Sequence, residues 1–368
     1  MCRIGALKSK KYIHPSMALR LMQPQQKGHD NSGFAMVMQD LGGVFEDYKN
    51  KPLISYSCTT EGVRIVERFM ADKGFSLAFH WSPKHCFDPE LDIDLMKHYH
   101  FENYDYPESH KTASDKEKNR LLTSTRLELR KILNETNEGF VFSFWEDVLT
   151  LKEIGNPRDI GIFFNLWNED DKFCSKIITV QCRQNTNYRI ERYAAHPFFL
   201  QGYTALANGE NTFYIKNKEF QESLFPGYIG FESDSQCFLY TLHYVHRVLG
   251  WPLEYYKHVI TPLPFDIIDS REDRDILLSI RESLSNLEIN GPNTIIAVLP
   301  DGTIINVCDS KKLRPVVIGQ TEDTIIISSE VCGINEIYPD RDIELDIYPD
   351  ERETIIINND LKVDRCKQ

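Results

Sequence analysis

The chain has 368 residues, 41% of them hydrophobic, with a formal net charge of −13 and a pI near 5.4. That is enough apolar material for one large domain or two ordinary ones. The negative field, with no basic run longer than Lys8-Ser9-Lys10-Lys11, argues against a nucleic-acid or anionic-membrane surface and for a small substrate.

In chain order, Ile4, Ala6 and Leu7 predict a short buried strand that fixes the N-terminus, and Met17 to Met22 a short helix. Gln26 to Gly33 is a Gly-punctuated loop running into a strand through Val37, and Asp40-Leu41-Gly42-Gly43 reads as a turn. The stretch from about 40 to 160 says least: a strand over Ser76–Phe79, a polar surface loop at Pro107–His110, and a charged amphipathic helix over Asp115–Asn134. Ile177–Val180 is a β-branched strand, and an apolar helix carrying Leu239, Leu242, Val245 and Leu249 ends at Gly250-Trp251-Pro252. Ser270–Asn290 reads as one strong amphipathic helix. Hairpins follow about Pro300-Asp301-Gly302 and Asn358-Asn359-Asp360.

No apolar run reaches transmembrane length, and the Met1-Cys2-Arg3-Ile4-Gly5 start lacks a signal-peptide pattern, so a cytoplasmic protein is expected. Nine cysteines, an odd number without a C-x-x-C pair, suit reduced thiols better than a disulfide frame, a structural zinc or an iron–sulfur site. His80, His85 and Cys86, then His98 and His100, then His243 and His246 are each read as solvated or core histidines, because no carboxylate completes a familiar metal spacing. No metal is therefore expected. The sequon at Asn134 has no meaning in a cytosolic protein.

Cys2 carries the first chemical signal. Removal of Met1 would leave it with both a thiol and a free α-amine, and that amine, titrating at about pH 8, can take the thiol proton directly or through a water. One residue then holds nucleophile and base. A second-position cysteine alone is weak, so the later segments decide.

Lys27-Gly28-His29-Asp30-Asn31-Ser32-Gly33 resembles the R-G-x-D/E-S-x-G-I segment of class II glutamine amidotransferases, with lysine for arginine. Arg183, thirteen positions before His196 of Ala195-His196-Pro197-Phe198, keeps the spacing of the amidotransferase domain of glutamate synthases, whose arginine grips the substrate carboxylate. Neither Arg189 nor Arg192 fits that spacing. Asn208-Gly209-Glu210-Asn211-Thr212 resembles the family's oxyanion-hole motif H-N-G-E-I-N-T, although Ala207 replaces the histidine, the isoleucine is missing, and the stretch from His196 is about four residues longer than the family implies. Ser233-Asp234-Ser235 resembles the segment whose aspartate binds the substrate ammonium, and from residues alone it is equally a helix cap. Asp309 to Pro315 and Thr324 to Glu330 resemble the R-N-G-L-R-P and A-S-E segments.

The resemblance implies an α+β fold, the N-terminal nucleophile hydrolase four-layer αββα sandwich, in one domain spanning 1–368 with an insertion at about 40–160. It implies Cys2, Asn208 and Gly209 as catalytic, and Arg183, Asp234 and His196 as binding L-glutamine. It further implies that ammonia passes to a flavin- and iron–sulfur-bearing synthase unit. This chain has no cysteine cluster and no flavin-barrel pattern, so those cofactors are expected only on a partner subunit in a hetero-oligomer. The alternatives are a subunit serving another acceptor, such as an N-methylglutamate synthase, a regulatory scaffold that has lost catalysis, or a different N-terminal-nucleophile amidohydrolase, which would leave Arg183 and Asp234 unexplained.

Overall fold

A computed structural model of the chain describes residues 2–26, 30–83, 98–168, 173–185 and 190–367. Its first half runs β1 (Arg3–Ile13), α1 (Ser16–Met22), β2 (Phe34–Gly43), β3 (Pro52–Cys58), α2 (Thr60–Asp72), β4 (Ser76–Trp81), β5 (His98–Asp105), α3 (Asp115–Glu135), β6 (Gly139–Glu146), β7 (Val148–Glu153), α4 (Pro157–Phe163) and β8 (Phe173–Cys182). The second half adds β9 (Phe198–Leu200), β10 (Tyr203–Gly209), α5 (Tyr214–Leu224), α6 (Gln236–His243), α7 (Glu254–Ile260), α8 (Phe265–Ile268), α9 (Arg274–Ser283), β11 (Asn293–Val298), β12 (Ile304–Cys308), β13 (Val317–Gln320), β14 (Thr324–Ser328), α10 (Val331–Ile337), β15 (Thr354–Ile357) and β16 (Val363–Cys366).

The strands form three sheets, ordered β13-β14-β1-β8-β2-β7, β16-β15-β12-β11-β10-β9 and β4-β5-β3-β6. Successive side chains of a strand point to opposite faces, and that alternation decides what each sheet packs against. Ile4 and Ala6 of β1 share a core with Leu206 of β10, Ile296 and Val298 of β11 and Ile355 of β15, so the two six-stranded sheets meet there. Leu7, on the other face of β1, packs with Leu19 and Leu21 of α1, Ile160 of α4 and Ile334 of α10. On the other face of β10 and β11, Ala207, Ile295 and Ala297 pack with Leu239 and Leu242 of α6, Val259 of α7 and Ile280 of α9. Each aliphatic side chain buried in this way contributes roughly 1.5–3 kcal/mol.

The four-stranded sheet has its own core, in which Ile54, Tyr56 and Val141 pack with Val66 and Met70 of α2 and Leu122, Leu129 and Leu133 of α3. Its helices start where the local chemistry dictates. Thr59 accepts a hydrogen bond from the Gly62 N–H, and Ser114 with Glu117 forms a reciprocal capping box.

Two expected elements differ. The helix over Ser270–Asn290 is interrupted: α9 stops at Ser283, Leu284 leaves helical geometry at φ −113°, and a 3-10 turn over Ser285–Leu287 carries Leu287 into the helix-side core. Ser283 Oγ donates back to the Ser279 carbonyl at 2.6 Å, competing for a helix acceptor at that point. Asp40 to Gly43 is not a turn but the end of β2, because pairing with β8 continues through Leu41↔Ser175 and Gly43↔Phe173 while Asp40 takes φ +53°. Among the described residues no helix is long and apolar enough to cross a membrane.

Candidate active site

Cys2 immediately precedes β1 and shares the parity of Ile4 and Ala6, so the strand's alternation aims it between the two six-stranded sheets. Pairing of Arg3 with Cys182 sets it beside the chain leaving β8. There the Gln184 N–H donates to Cys2 Sγ at 3.4 Å, and the thiol lies 3.5 Å from the Gln184 carbonyl. Burial pushes the thiol pKa up; the Gln184 hydrogen bond and the Arg183 charge pull against that, and Asp234 adds to it.

Arg183 follows β8 and is 4% exposed. Its N–H donates to the Gly33 carbonyl at 2.7 Å, and its own carbonyl accepts from Ser32 Oγ at 3.0 Å. Ser32 Oγ and Asp30 Oδ2 also accept the Asn185 N–H, so the residues that resemble the family's D-x-S-G segment brace the arginine's own loop. The guanidinium spends Nη2 on Asn185 Oδ1 at 2.9 Å, while Nη1 is buried with no partner among the described residues. Lys27 and the segment Thr186 to Arg189 lie outside the described residues. Arg192 is committed elsewhere, in a buried ion pair with Glu153 at 2.8 Å.

Asn208 lies near the end of β10 with the parity of Leu206, hence on the same inter-sheet side as Cys2, and it is 1% exposed. Its Nδ2 has no partner among the described residues. A buried amide donor without an acceptor costs roughly 1–3 kcal/mol unless something else accepts from it. Gly209 is required by close approach: a Cβ there would sit 2.1 Å from the Pro292 carbonyl oxygen. The Ala207 N–H points to His196 Nδ1 at 3.2 Å, and the Glu210 N–H points the opposite way, to the Pro292 carbonyl. Backbone alternation therefore turns the Gly209 N–H toward the His196 edge of the strand.

Asp234 is 7% exposed. Its carboxylate takes the Asn211 N–H at 2.7 Å and the hydroxyls of Ser233 and Ser235 at 3.2 and 3.4 Å. Burial raises its pKa against those donors. It is not the cap of α6: Ser235 holds that position and makes no side-chain cap bond. Arg183, Cys2 and Asp234 act on one another's charges, which places a cation, a thiol and a carboxylate in one electrostatic neighbourhood.

His196 sits behind this group. Its Nδ1 faces Gln181 Nε2 at 2.9 Å and accepts the Ala207 N–H, so the ring proton belongs on Nε2, which faces Ser233 Oγ at 3.4 Å. Burial and the nearby Arg183 and Lys152 charges hold it neutral. The ring ties β8, β10 and the Ser233–Asp234 corner together. Lys152 fixes the turn before it by donating to the Tyr193 and Ala195 carbonyls at 3.1 and 2.6 Å.

Gln184 and Gln181 were not singled out in the sequence, and Ser233 and Asn211 were read only as members of their motifs. Gln181 lies near the end of β8 and Gln184 just beyond it, but the roles of all four run through backbone atoms and cross-strand pairs that spacing does not reveal. His243 is a satisfied core histidine between Tyr228 Oη and Gln201 Oε1, and half-buried His246 meets Tyr203 Oη.

No protein-family model matches the chain. An uncharacterized protein of Archaeoglobus fulgidus is 30% identical over 214 residues, which are 58% of this chain and 55% of that protein. Among solved structures, a glutamine phosphoribosylpyrophosphate amidotransferase from B. subtilis aligns over 99% of this chain and 49% of its own, at 14% identity and TM-score 0.47. A structure described as the allosteric regulatory enzyme of purine biosynthesis aligns over the same shares at 13% identity and TM-score 0.49. A glutamine aminotransferase class-II domain protein from Silicibacter pomeroyi aligns over 59% of this chain and 84% of its own, at 12% identity and TM-score 0.34. The chain thus spans about half the length of the curated relative and of the first two structures. With TM-scores below 0.5, these likenesses leave the functional question to the residues of the site.

Proposed function

We propose that this chain is a class II glutamine amidotransferase unit, hydrolysing L-glutamine to glutamate and ammonia through a thioester on Cys2. The observation that carries the reading is a pair of buried donors without acceptors among the described residues, Arg183 Nη1 and Asn208 Nδ2, the first of them beside one thiol and one buried carboxylate. A zwitterionic amino acid with a side-chain amide satisfies them all. Its α-carboxylate goes to Arg183, its α-ammonium to Asp234, and the oxygen of its amide to Asn208 Nδ2 and the Gly209 N–H.

The chemistry then follows. With Met1 removed, the α-amine of Cys2 accepts the thiol proton and Sγ attacks the amide carbon. The oxyanion forms against Asn208 and Gly209, the C–N bond breaks, and ammonia leaves carrying a proton returned by the amine. Water attacks the γ-glutamyl thioester by the same route, releasing glutamate and the thiol. In this reading His196 positions β10 and Ser233 rather than touching the substrate, which amends its expected role as a binding residue.

The two facing sheets with helices on their outer faces are read as the αββα sandwich, and the four-stranded sheet with α2 and α3 as the insertion at about 40–160 within one domain. The ammonia acceptor is read as a separate flavin- and iron–sulfur-bearing synthase subunit of glutamate synthase type, in the cytoplasm. The departures around Asn208, with Ala207 in place of a histidine and a longer stretch from His196, favour one second reading, a scaffold that has lost catalysis. Intact mass of the purified chain together with a glutaminase assay tests both: loss of Met1 with glutamine-dependent ammonia release supports the enzyme, and a processed Cys2 terminus with no turnover, alone or with a partner, supports the scaffold.

A further inference from the structure

The four-stranded sheet gathers groups that the proposed amidotransferase site does not use. Paired strands β4 and β5 set His80 directly opposite Glu102, and His100 lies two residues from Glu102 on the same face of β5. His80 Nε2 lies 3.0 Å from His100 Nδ1, and that nitrogen lies 3.7 Å from Glu102 Oε1. One ligand atom from each residue falls within a 4.8 Å span. A tetrahedral ion bound at about 2.0–2.1 Å spaces its donors by roughly 3.3 Å, so the two closest separations straddle the required edge.

The surroundings also suit a ligand set. Glu102 is 6% exposed in its side chain, and each of its oxygens accepts one phenol hydrogen, Oε1 from Tyr56 at 3.0 Å and Oε2 from Tyr104 at 2.7 Å. Those bonds orient the carboxylate and leave each oxygen a further lone pair, as outer-sphere partners of metal carboxylates do. Tyr56 also stacks on the His100 ring with centroids 5.0 Å apart, fixing the imidazole plane. Among the described residues Glu102 meets two phenols and an imidazole but no lysine or arginine, so its charge is buried without a permanent cation. His80, by contrast, is exposed, which gives an ion a way in.

We propose that His80, His100 and Glu102 form a binding site for a divalent transition-metal ion, zinc foremost, with a fourth position that no described residue fills. Two imidazoles and one carboxylate are a borderline set that selects zinc, cobalt or iron(II) over magnesium or calcium. The site joins the edge strand β4 to its neighbour β5, so its occupation clamps that edge. It departs from the sequence expectation of no metal because the completing carboxylate comes from strand register, not from spacing along the chain.

The test uses the full chain stripped with a chelator and titrated with Zn2+, Co2+ or Mg2+. The expected result is one zinc per chain by calorimetry and elemental analysis, visible absorption of tetrahedral type with cobalt, no magnesium binding, and a melting temperature raised by zinc. His80→Ala, at an exposed position, should keep the metal-free melting temperature and lose the cobalt spectrum and the zinc-dependent rise. Tyr104→Phe should keep stoichiometry and weaken affinity roughly 10- to 100-fold. Absence of stoichiometric zinc binding overturns the proposal, as does binding that survives both His80→Ala and Glu102→Gln.

Discussion

The backbone N–H of Gln184 donates to the sulfur of Cys2 across 3.4 Å, so the segment after β8 that carries Arg183 also supplies a fixed dipole to the thiol. Such a bond favours thiolate over thiol and orients sulfur without using the α-amine. Cys2→Ala should therefore abolish glutaminase activity while leaving the melting temperature near that of the unsubstituted chain. A glutamine-analogue diazo-ketone should label Cys2 alone in peptide mass mapping. Cys182 is buried and its thiol is pushed up to about 12, so label there would relocate the nucleophile.

Arg183 and Asn208 separate binding from chemistry. Arg183→Lys keeps the charge but loses the fork, and loss of a charge-assisted bond worth about 1.5–3 kcal/mol predicts a KM raised roughly 10- to 150-fold with kcat little changed. Asn208→Ala removes a donor that matters most to the oxyanion, so kcat should fall by roughly 10²–10³. Steady-state kinetics on both variants checks the split. Effects of both confined to KM would remove Asn208 from the oxyanion site.

Gly209→Ala should be poorly tolerated for a backbone reason. The new methyl would meet the Pro292 carbonyl, which also accepts the Glu210 N–H, so β10 must move away from β11 and carry Asn208 with it. A loss of about 2 kcal/mol in stability, together with reduced kcat, is expected. Thermal melts and kinetics test it, and a variant with unchanged kcat would show that the β10 terminus need not be held in register for turnover.

Much of this was legible because it depends on local pattern. The apolar Ile4, Ala6 and Leu7 of β1, the β-branched run of β8, the hairpin about Asp301-Gly302, and the Arg183 to His196 spacing are all properties of nearby residues. What escaped was long-range. Asp40 to Gly43 reads as a turn by composition, yet pairing with Cys174 and Phe173 keeps it in the sheet. The His80, His100 and Glu102 group exists only once β4 is registered on β5. His196 reads as a site residue, but its ring nitrogens are turned to Gln181, Ala207 and Ser233, partners no spacing rule names.

His243 should drive part of the acid sensitivity. It is buried between Tyr228 and Gln201, and burial lowers its pKa to about 3. In the unfolded chain it titrates near about 6.5. The folded form therefore binds fewer protons in that window, and stability is lost as pH falls from about 6.5 toward 3, at up to roughly 1.4 kcal/mol per pH unit from this residue. His243→Gln should flatten the dependence measured by denaturant unfolding between pH 6 and 4 by about that slope. An unchanged slope would assign the effect to other groups, of which His258, lowered to about 4, is the first to examine.

The last prediction concerns where the ammonia goes. Free ammonia released into water at neutral pH becomes mostly ammonium, whose lone pair is occupied and which is a poor nucleophile, so a glutaminase unit working unaided would waste its product. Coupling requires an acceptor subunit docked over the site and a sheltered path between the two. Burial pushes the Cys2 thiol up, and only the thiolate attacks, so the basal rate depends on how well the freed α-amine draws off the proton. Docking that brings a further positive charge or donor toward Cys2 would lower that pKa and raise the rate. Glutaminase activity should therefore rise at least tenfold when the chain is assayed with its native synthase partner and 2-oxoglutarate, and the partner should co-purify carrying flavin and iron–sulfur absorption. A chain that purifies only with itself and runs at full rate unaided would refute the glutamate-synthase reading and leave the amidotransferase chemistry at Cys2 intact.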